Sequence, residues 1–96
     1  MKGYVYILSN YTRTTFYIGV TSNLGRRLEQ HMEDPPSSFV ARYNLKYLVY
    51  YEVYERIEDA IRREKQLKRW HREWKINLIK SVNPEMLDLS DQVPWQ

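Results

Sequence analysis

Residues 4–20 read Tyr4-Val5-Tyr6-Ile7-Leu8-Ser9-Asn10-Tyr11-Thr12-Arg13-Thr14-Thr15-Phe16-Tyr17-Ile18-Gly19-Val20. The first five are all β-branched, aromatic or leucine, with no polar residue to mark a wet face. Such a run reads as a strand covered on both sides. Ser9 to Thr14 is polar and turn-like, and Thr15 to Val20 repeats the strand chemistry. Two strands so closely joined form an antiparallel hairpin. A central strand buried on both faces needs a layer of chain above it and another below.

The chain downstream supplies those layers. Thr21-Ser22-Asn23 carries side-chain oxygens suited to capping a helix, and Leu24 to Met32 follows as that helix until Asp34-Pro35-Pro36 ends it. Ser37 to Tyr43 can form a short helix stopped at Asn44. Lys46 to Tyr54, rich in Tyr and Val, reads as the third strand. Ile57 to about Trp70 and Arg72 to about Lys80 read as two further helices. From about residue 83 an acidic tail is expected to pack loosely, pinned by Met86, Leu87 and Leu89. The order ββαβαα predicts an α+β domain with a small three-stranded antiparallel sheet flanked by helices.

Ninety-six residues suffice for one domain, 1–96, with a single modest core. No apolar run approaches the ~18 residues of a membrane span. No signal peptide is visible at the N-terminus, and with no cysteine there are neither disulfides nor thiolate metal sites. A cytoplasmic protein is the expectation. The net charge of +3 conceals an asymmetry: fifteen bases oppose nine acids up to Lys80, and the last sixteen residues carry Glu85, Asp88 and Asp91 with no base. A basic body suits a polyanionic partner such as a nucleic acid.

Two helices carry polar groups where apolar ones belong. Ile57, Ala60, Ile61 and Leu67 share a face at helical spacing. Glu64, seven residues after Ile57, lies only about 20° off the same line. A carboxylate so placed needs a cation, a metal or an opening to a cleft. In the first helix Leu24 and Leu28 face inward, and Arg27 and His31, four residues apart, point into one space. Arg27 either meets a phosphate with its planar donors or pairs with Glu64 as a structural bridge. His31 either joins it or merely closes the helix. Of nine tyrosines, most fall on strands and suit packing. A phenol in a basic cleft can also act as a base once its ordinary pKa of about 10 is lowered.

Tyr4-Val5-Tyr6 followed after ten residues by Tyr17-Ile18-Gly19 resembles the paired signature of the GIY-YIG nuclease family. Asn23 to His31 resembles the family's first helix, Ala60 to Lys68 the helix bearing its metal-binding glutamate, and Asn83-Pro84 the closing asparagine segment of compact stand-alone members. These members resemble the catalytic domain of the excision-repair nuclease. The likeness runs from about Gly3 to Leu89, with Tyr4 standing where the first signature has glycine.

The resemblance implies a metal-dependent endonuclease acting on nucleic acid, with DNA the expected form and repair or processing the expected setting. It implies that Tyr6 and Tyr17 face the scissile phosphate, Tyr6 as general base or water orienter. Arg27 then stabilises phosphoryl charge, His31 assists as proton acceptor, Glu64 holds one Mg²⁺ or Mn²⁺, and Asn83 is a supporting hydrogen-bonder. Arg26, Arg62, Arg63, Lys65, Lys68, Arg69 and Arg72 are candidates for flanking phosphates. A non-catalytic nucleic-acid-binding module that keeps the fold is the alternative. An interaction module using the tail with Trp70, Trp74 and Trp95 ranks behind both. Oligomeric state is not legible.

Overall fold

A computed structural model describes residues 1–93. Its first strand, β1 (Gly3–Ser9), is the middle of a three-stranded sheet of order β2-β1-β3, with β2 at Phe16–Thr21 and β3 at Tyr47–Tyr54. Both pairings are antiparallel. The β1–β2 turn is held by Asn10, whose side-chain oxygen accepts the amides of Thr14 and Thr15. Val49 is a bulge: Ile7 pairs with Tyr50 and Leu8 with Leu48.

The register sorts the sheet into two faces, because neighbouring residues of a strand point to opposite sides. Val5 and Ile7 share one side with Val20 and Ile18, their partners on β2. There they pack with Ala60, Leu67 and Ile79, from α3 (Ile57–Lys68) and α4 (Arg72–Val82). Tyr6 and Leu8 face the other way, opposite Gly19 and Tyr17. They pack with Leu24 and Val40, from α1 (Leu24–Met32) and α2 (Phe39–Arg42). Both faces of β1 are thus covered, as its unbroken apolar run requires. The order ββααβαα is the expected one with the short helix after the first counted.

Caps set the helix ends. Asn23 Oδ1 accepts the Arg26 amide at 3.1 Å and fixes the start of α1 at Leu24. Ser38 caps α2 in the same way, and Asn44, at φ 56°, turns the chain out of it. Gly3 lets α3 lie against the sheet: a Cβ there would sit 2.8 Å from Ile57 Cα and 2.7 Å from Ala60 Cβ.

The tail departs from expectation. Met86 is buried and Leu89 packs on the second core, but Leu87 is 57% exposed and Val93, at 3%, is the deeper anchor. The tail is also not loose. The Leu89 amide donates to Leu48 O at 2.7 Å, and the Leu48 amide donates to Asp88 Oδ1 at 3.1 Å. It therefore covers part of the outer edge of β3. Trp95 lies outside the described residues. Trp74 is not core, being 54% exposed, whereas Trp70 and Leu78 do pack on the first core.

Candidate active site

The face beneath α1 gathers four of the six sequence-derived site residues. Tyr6 projects from β1 across Gly19 of β2, where a Cβ would fall 2.4 Å from both Cζ and Oη of the phenol. Only glycine leaves room for the ring. The Tyr6 hydroxyl lies 2.9 Å from His31 Nε2, and His31 Nδ1 lies 2.9 Å from Asp34 Oδ2. Tyr17 presents its ring edge-on to His31 at 5.8 Å between centroids and tilts against Tyr6 at 6.3 Å. Arg27, one turn before His31, sets its guanidinium beside the Tyr6 phenol and donates to Gln30 Oε1 at 3.2 Å. Beyond it opens a groove of about 380 Å³ lined by Thr21, Ser22, Asn23, Arg26, Arg27 and Gln30.

The electrostatics correct one expectation. Burial raises the Tyr6 phenol and the Arg27 guanidinium offsets this only in part, so that the phenol is pushed up to about 12. The phenol is raised, not lowered, and stays protonated at neutral pH. The same contact holds Arg27 above its ordinary value. Tyr6 is also only 1% exposed. It lies behind Tyr17 and Arg27, both half-buried at the surface.

Glu64 and Asn83 stand elsewhere. Glu64 belongs to α3, across the sheet, and its Oε2 meets Lys68 Nζ at 3.0 Å with the carboxylate side chain 14% exposed. Helical geometry fixes its heading. Arg63, one residue earlier, reaches β3 to bind Glu52, while Ala60 and Leu67 point straight into the core. Glu64, 100° further round, leans towards the β2 edge. It makes no ion pair with Arg27, so the structural bridge between them is not formed. Asn83, 6% exposed, donates from Nδ2 to Val49 O and Leu87 O and accepts the Leu87 amide, clasping the tail to β3.

Among the described residues no three His, Cys, Asp or Glu side chains converge as a metal cage. The donor set at Glu64 nevertheless fits a hard divalent ion. One carboxylate with Oε1 unengaged among the described residues is what a largely hydrated Mg²⁺ or Mn²⁺ uses.

The GIY-YIG catalytic domain model matches residues 2–77 of the chain. The chain belongs to the GIY-YIG family. GIY-YIG domains are nuclease domains, so nucleic acid is the substrate class and divalent-metal dependence the general rule. Among its relatives is a UPF0213 protein of Syntrophus aciditrophicus, 34% identical over 90% of this chain and 98% of that one. A UPF0213 protein of Staphylococcus aureus is 30% identical over 69% of this chain and 80% of its own length. The solution structure of a UPF0213 protein from Bacillus halodurans has a TM-score of 0.58 at 26% identity, over 88% of this chain and 89% of that chain. The small three-stranded GIY-YIG architecture is shared between them. Among the described residues no helix is long and apolar enough to cross a membrane.

Two acids, one in this cluster and one on the opposite face, carry contacts that the sequence pattern does not mark. Asp34 stands before two prolines where α1 ends, and its i,i+3 relation to His31 is the one sequence signal for their contact. Glu52 was not singled out, yet it accepts from Arg63, Tyr50 and Tyr54 on the opposite face. That network withdraws Arg63 from the expected phosphate contacts, and Arg72 is likewise held, against Phe16 and Thr14 O.

Proposed function

We propose that this GIY-YIG domain is a divalent-metal-dependent endonuclease that cuts DNA, working on nicked, branched or flapped forms during repair or processing. The observation that carries the reading is the convergence of Tyr6, Tyr17, Arg27 and His31 beside a polar groove. Hydrolysis of a phosphodiester needs an activated water, a cation for the charge building on the phosphoryl oxygens, and help for the departing alkoxide.

Arg27 meets the phosphate with its planar donors. In moving towards the phosphate it uncovers the Tyr6 hydroxyl, which takes a proton from the attacking water while passing its own to His31. Tyr17, at the surface, orients the phosphate and the water. Glu64 would hold the metal ion, which would supply Lewis-acid stabilisation to developing charge on phosphate oxygens. Arg26, Lys65 and Arg69, exposed and without ion-pair partners among the described residues, receive flanking phosphates. Asn83 supports the site only through the fold.

The test is cleavage of nicked, branched, flapped and linear DNA with Mg²⁺ or Mn²⁺. Glu64→Ala and Arg27→Ala are each expected to lower the rate by at least about 10²-fold. Cutting at the parental rate by both variants refutes the assignment. Two observations favour a second reading, a binding module without chemistry: Tyr6 is closed over and Glu64 is already bridged to Lys68. That reading expects salt-sensitive binding indifferent to EDTA, with no cleavage of any substrate.

A further inference from the structure

The geometry points to Asp34 as a positioning residue that fixes the tautomer of His31 and so makes it the proton acceptor for Tyr6. The inference rests on the nuclease reading for its purpose, but its structural core does not. Asp34 Oδ2 lies 2.9 Å from His31 Nδ1. An ionised carboxylate can only accept, so Nδ1 carries the hydrogen. In the neutral imidazole the other nitrogen then has a lone pair. That nitrogen, Nε2, is 2.9 Å from the Tyr6 hydroxyl, which therefore donates to it. The chain runs one way: Tyr6 O–H to Nε2, Nδ1–H to Asp34.

This direction matters because a buried phenol cannot accept a proton from water unless it releases its own. In the step proposed above, one water O–H bond breaks and a new O–H bond forms on Tyr6. The phenol's original O–H bond breaks as its proton passes to Nε2, and the water oxygen bonds to phosphorus as the bond to the leaving alkoxide breaks. His31 becomes an imidazolium facing the Asp34 carboxylate, which steadies the charge. Once the bond to the alkoxide has broken, Tyr6 gives up its proton to the alkoxide oxygen through solvent, and His31 Nε2 returns its proton to the Tyr6 oxygen. With the hydrogen on Nε2 instead, the ring would point a donor at the phenol and the path would close.

The surroundings support a specific role. His31 is 8% exposed and the Asp34 side chain 19%, so the pair is shielded and its hydrogen bond is only weakly contested by water. Tyr17 packs edge-on against the imidazole and holds the plane of the ring. Asp34 comes from the turn after α1, where its amide also bonds His31 O. Backbone and side chain therefore both set its place.

The experiment reads the imidazole directly. A long-range ¹H–¹⁵N correlation spectrum of His71→Gln protein, recorded as pH is raised until the imidazole nitrogen shifts stop changing, leaves His31 as the single imidazole. The expected spectrum shows a pyrrole-type Nδ1 and a pyridine-type Nε2. Adding Asp34→Ala should release the ring to a mixture of tautomers. In cleavage assays Asp34→Ala should lower kcat by about 10²-fold or more with KM within about twofold. A parent spectrum with the hydrogen on Nε2 overturns the inference without needing any variant. So does a folded Asp34→Ala protein that keeps the Nδ1–H tautomer or cuts with unchanged kcat. If the parent shows the expected tautomer and cuts nothing, the assignment of Asp34 stands and the nuclease reading fails.

Discussion

Replacing Gly19 by alanine should damage the protein through one aromatic ring. The added Cβ would lie 2.4 Å from Tyr6 Cζ and Oη and 2.8 Å from Cε1. Ordinary carbon contacts begin near 3.5 Å, so the ring must retreat by roughly 1 Å. It has little room to do so, since Tyr6 is 1% exposed and flanked by Tyr17 and His31. A shift of that size carries the 2.9 Å bond to His31 past the useful limit of about 3.2 Å. Overpacking of this kind costs about 1–3 kcal/mol, offset by about 0.5–1 kcal/mol from removing glycine within a strand. The net loss, at most about 2.5 kcal/mol, lowers Tm by up to roughly 20 °C in a domain of this size. Cleavage should fall by about 10²-fold, as expected for a 1 Å misplacement of a reacting group. Urea and thermal unfolding of Gly19→Ala, Tyr6→Leu and the double variant measure the coupling. Leucine lacks the atoms that clash, so in that background Gly19→Ala should be neutral or mildly stabilising. An equal loss in both backgrounds would refute the steric argument.

Asn83→Ala strips three bonds to backbone, one buried and two partly buried, and should cost about 2–3 kcal/mol, with faster hydrogen exchange at the Leu87 and Leu89 amides. Unchanged exchange there would contradict the clasp. At Glu52 burial opposes ionisation, but Arg63 and the hydroxyls of Tyr50 and Tyr54 outweigh it and hold the carboxyl below its usual range. A depressed carboxylate contributes stability that is complete above its unfolded pKa and is lost as pH falls through the folded value. The parent should therefore show an acid-side decline in urea midpoint that Glu52→Gln lacks. Matching declines in the two proteins would remove Glu52 as the cause. Mn²⁺ at about ten times its Kd should stabilise the parent by about 1.4 kcal/mol in thermal unfolding and leave Glu64→Gln unmoved. Equal stabilisation of both would locate the ion elsewhere.

How far the chain could be read from its residues depended on whether the signal was local. The start of α1 was legible because Asn23 caps its own helix three residues ahead. The two-sided burial of β1 was legible because each of its central residues is apolar or aromatic. The clustering of Arg27 and His31 followed from a four-residue spacing, but the depth of Tyr6 did not. That depth depends on Gly19, a cross-strand partner whose missing Cβ admits the ring. Leu87 and Leu89 are indistinguishable by hydropathy. The turn at Met86, with φ 51°, and the Asn83 clasp send one outward and the other under the sheet. Glu64 reads from its spacing as an acid within the apolar stripe, but no periodicity within one helix could tell which edge of the sheet it would overlook.

The hold of the tail on β3 has a consequence for biosynthesis. All three strands are made by Tyr54, yet the outer rim of β3 is met by Asp88 and Leu89 only after thirty-five further residues. At about 5–20 residues per second, the ribosome leaves that rim unguarded for roughly 2–7 s. During that interval the nascent chain presents an unpaired strand to any neighbour able to add to it. Crowded polysomes should therefore favour entanglement of partly made copies, and slowing translation just before residue 83 should worsen it.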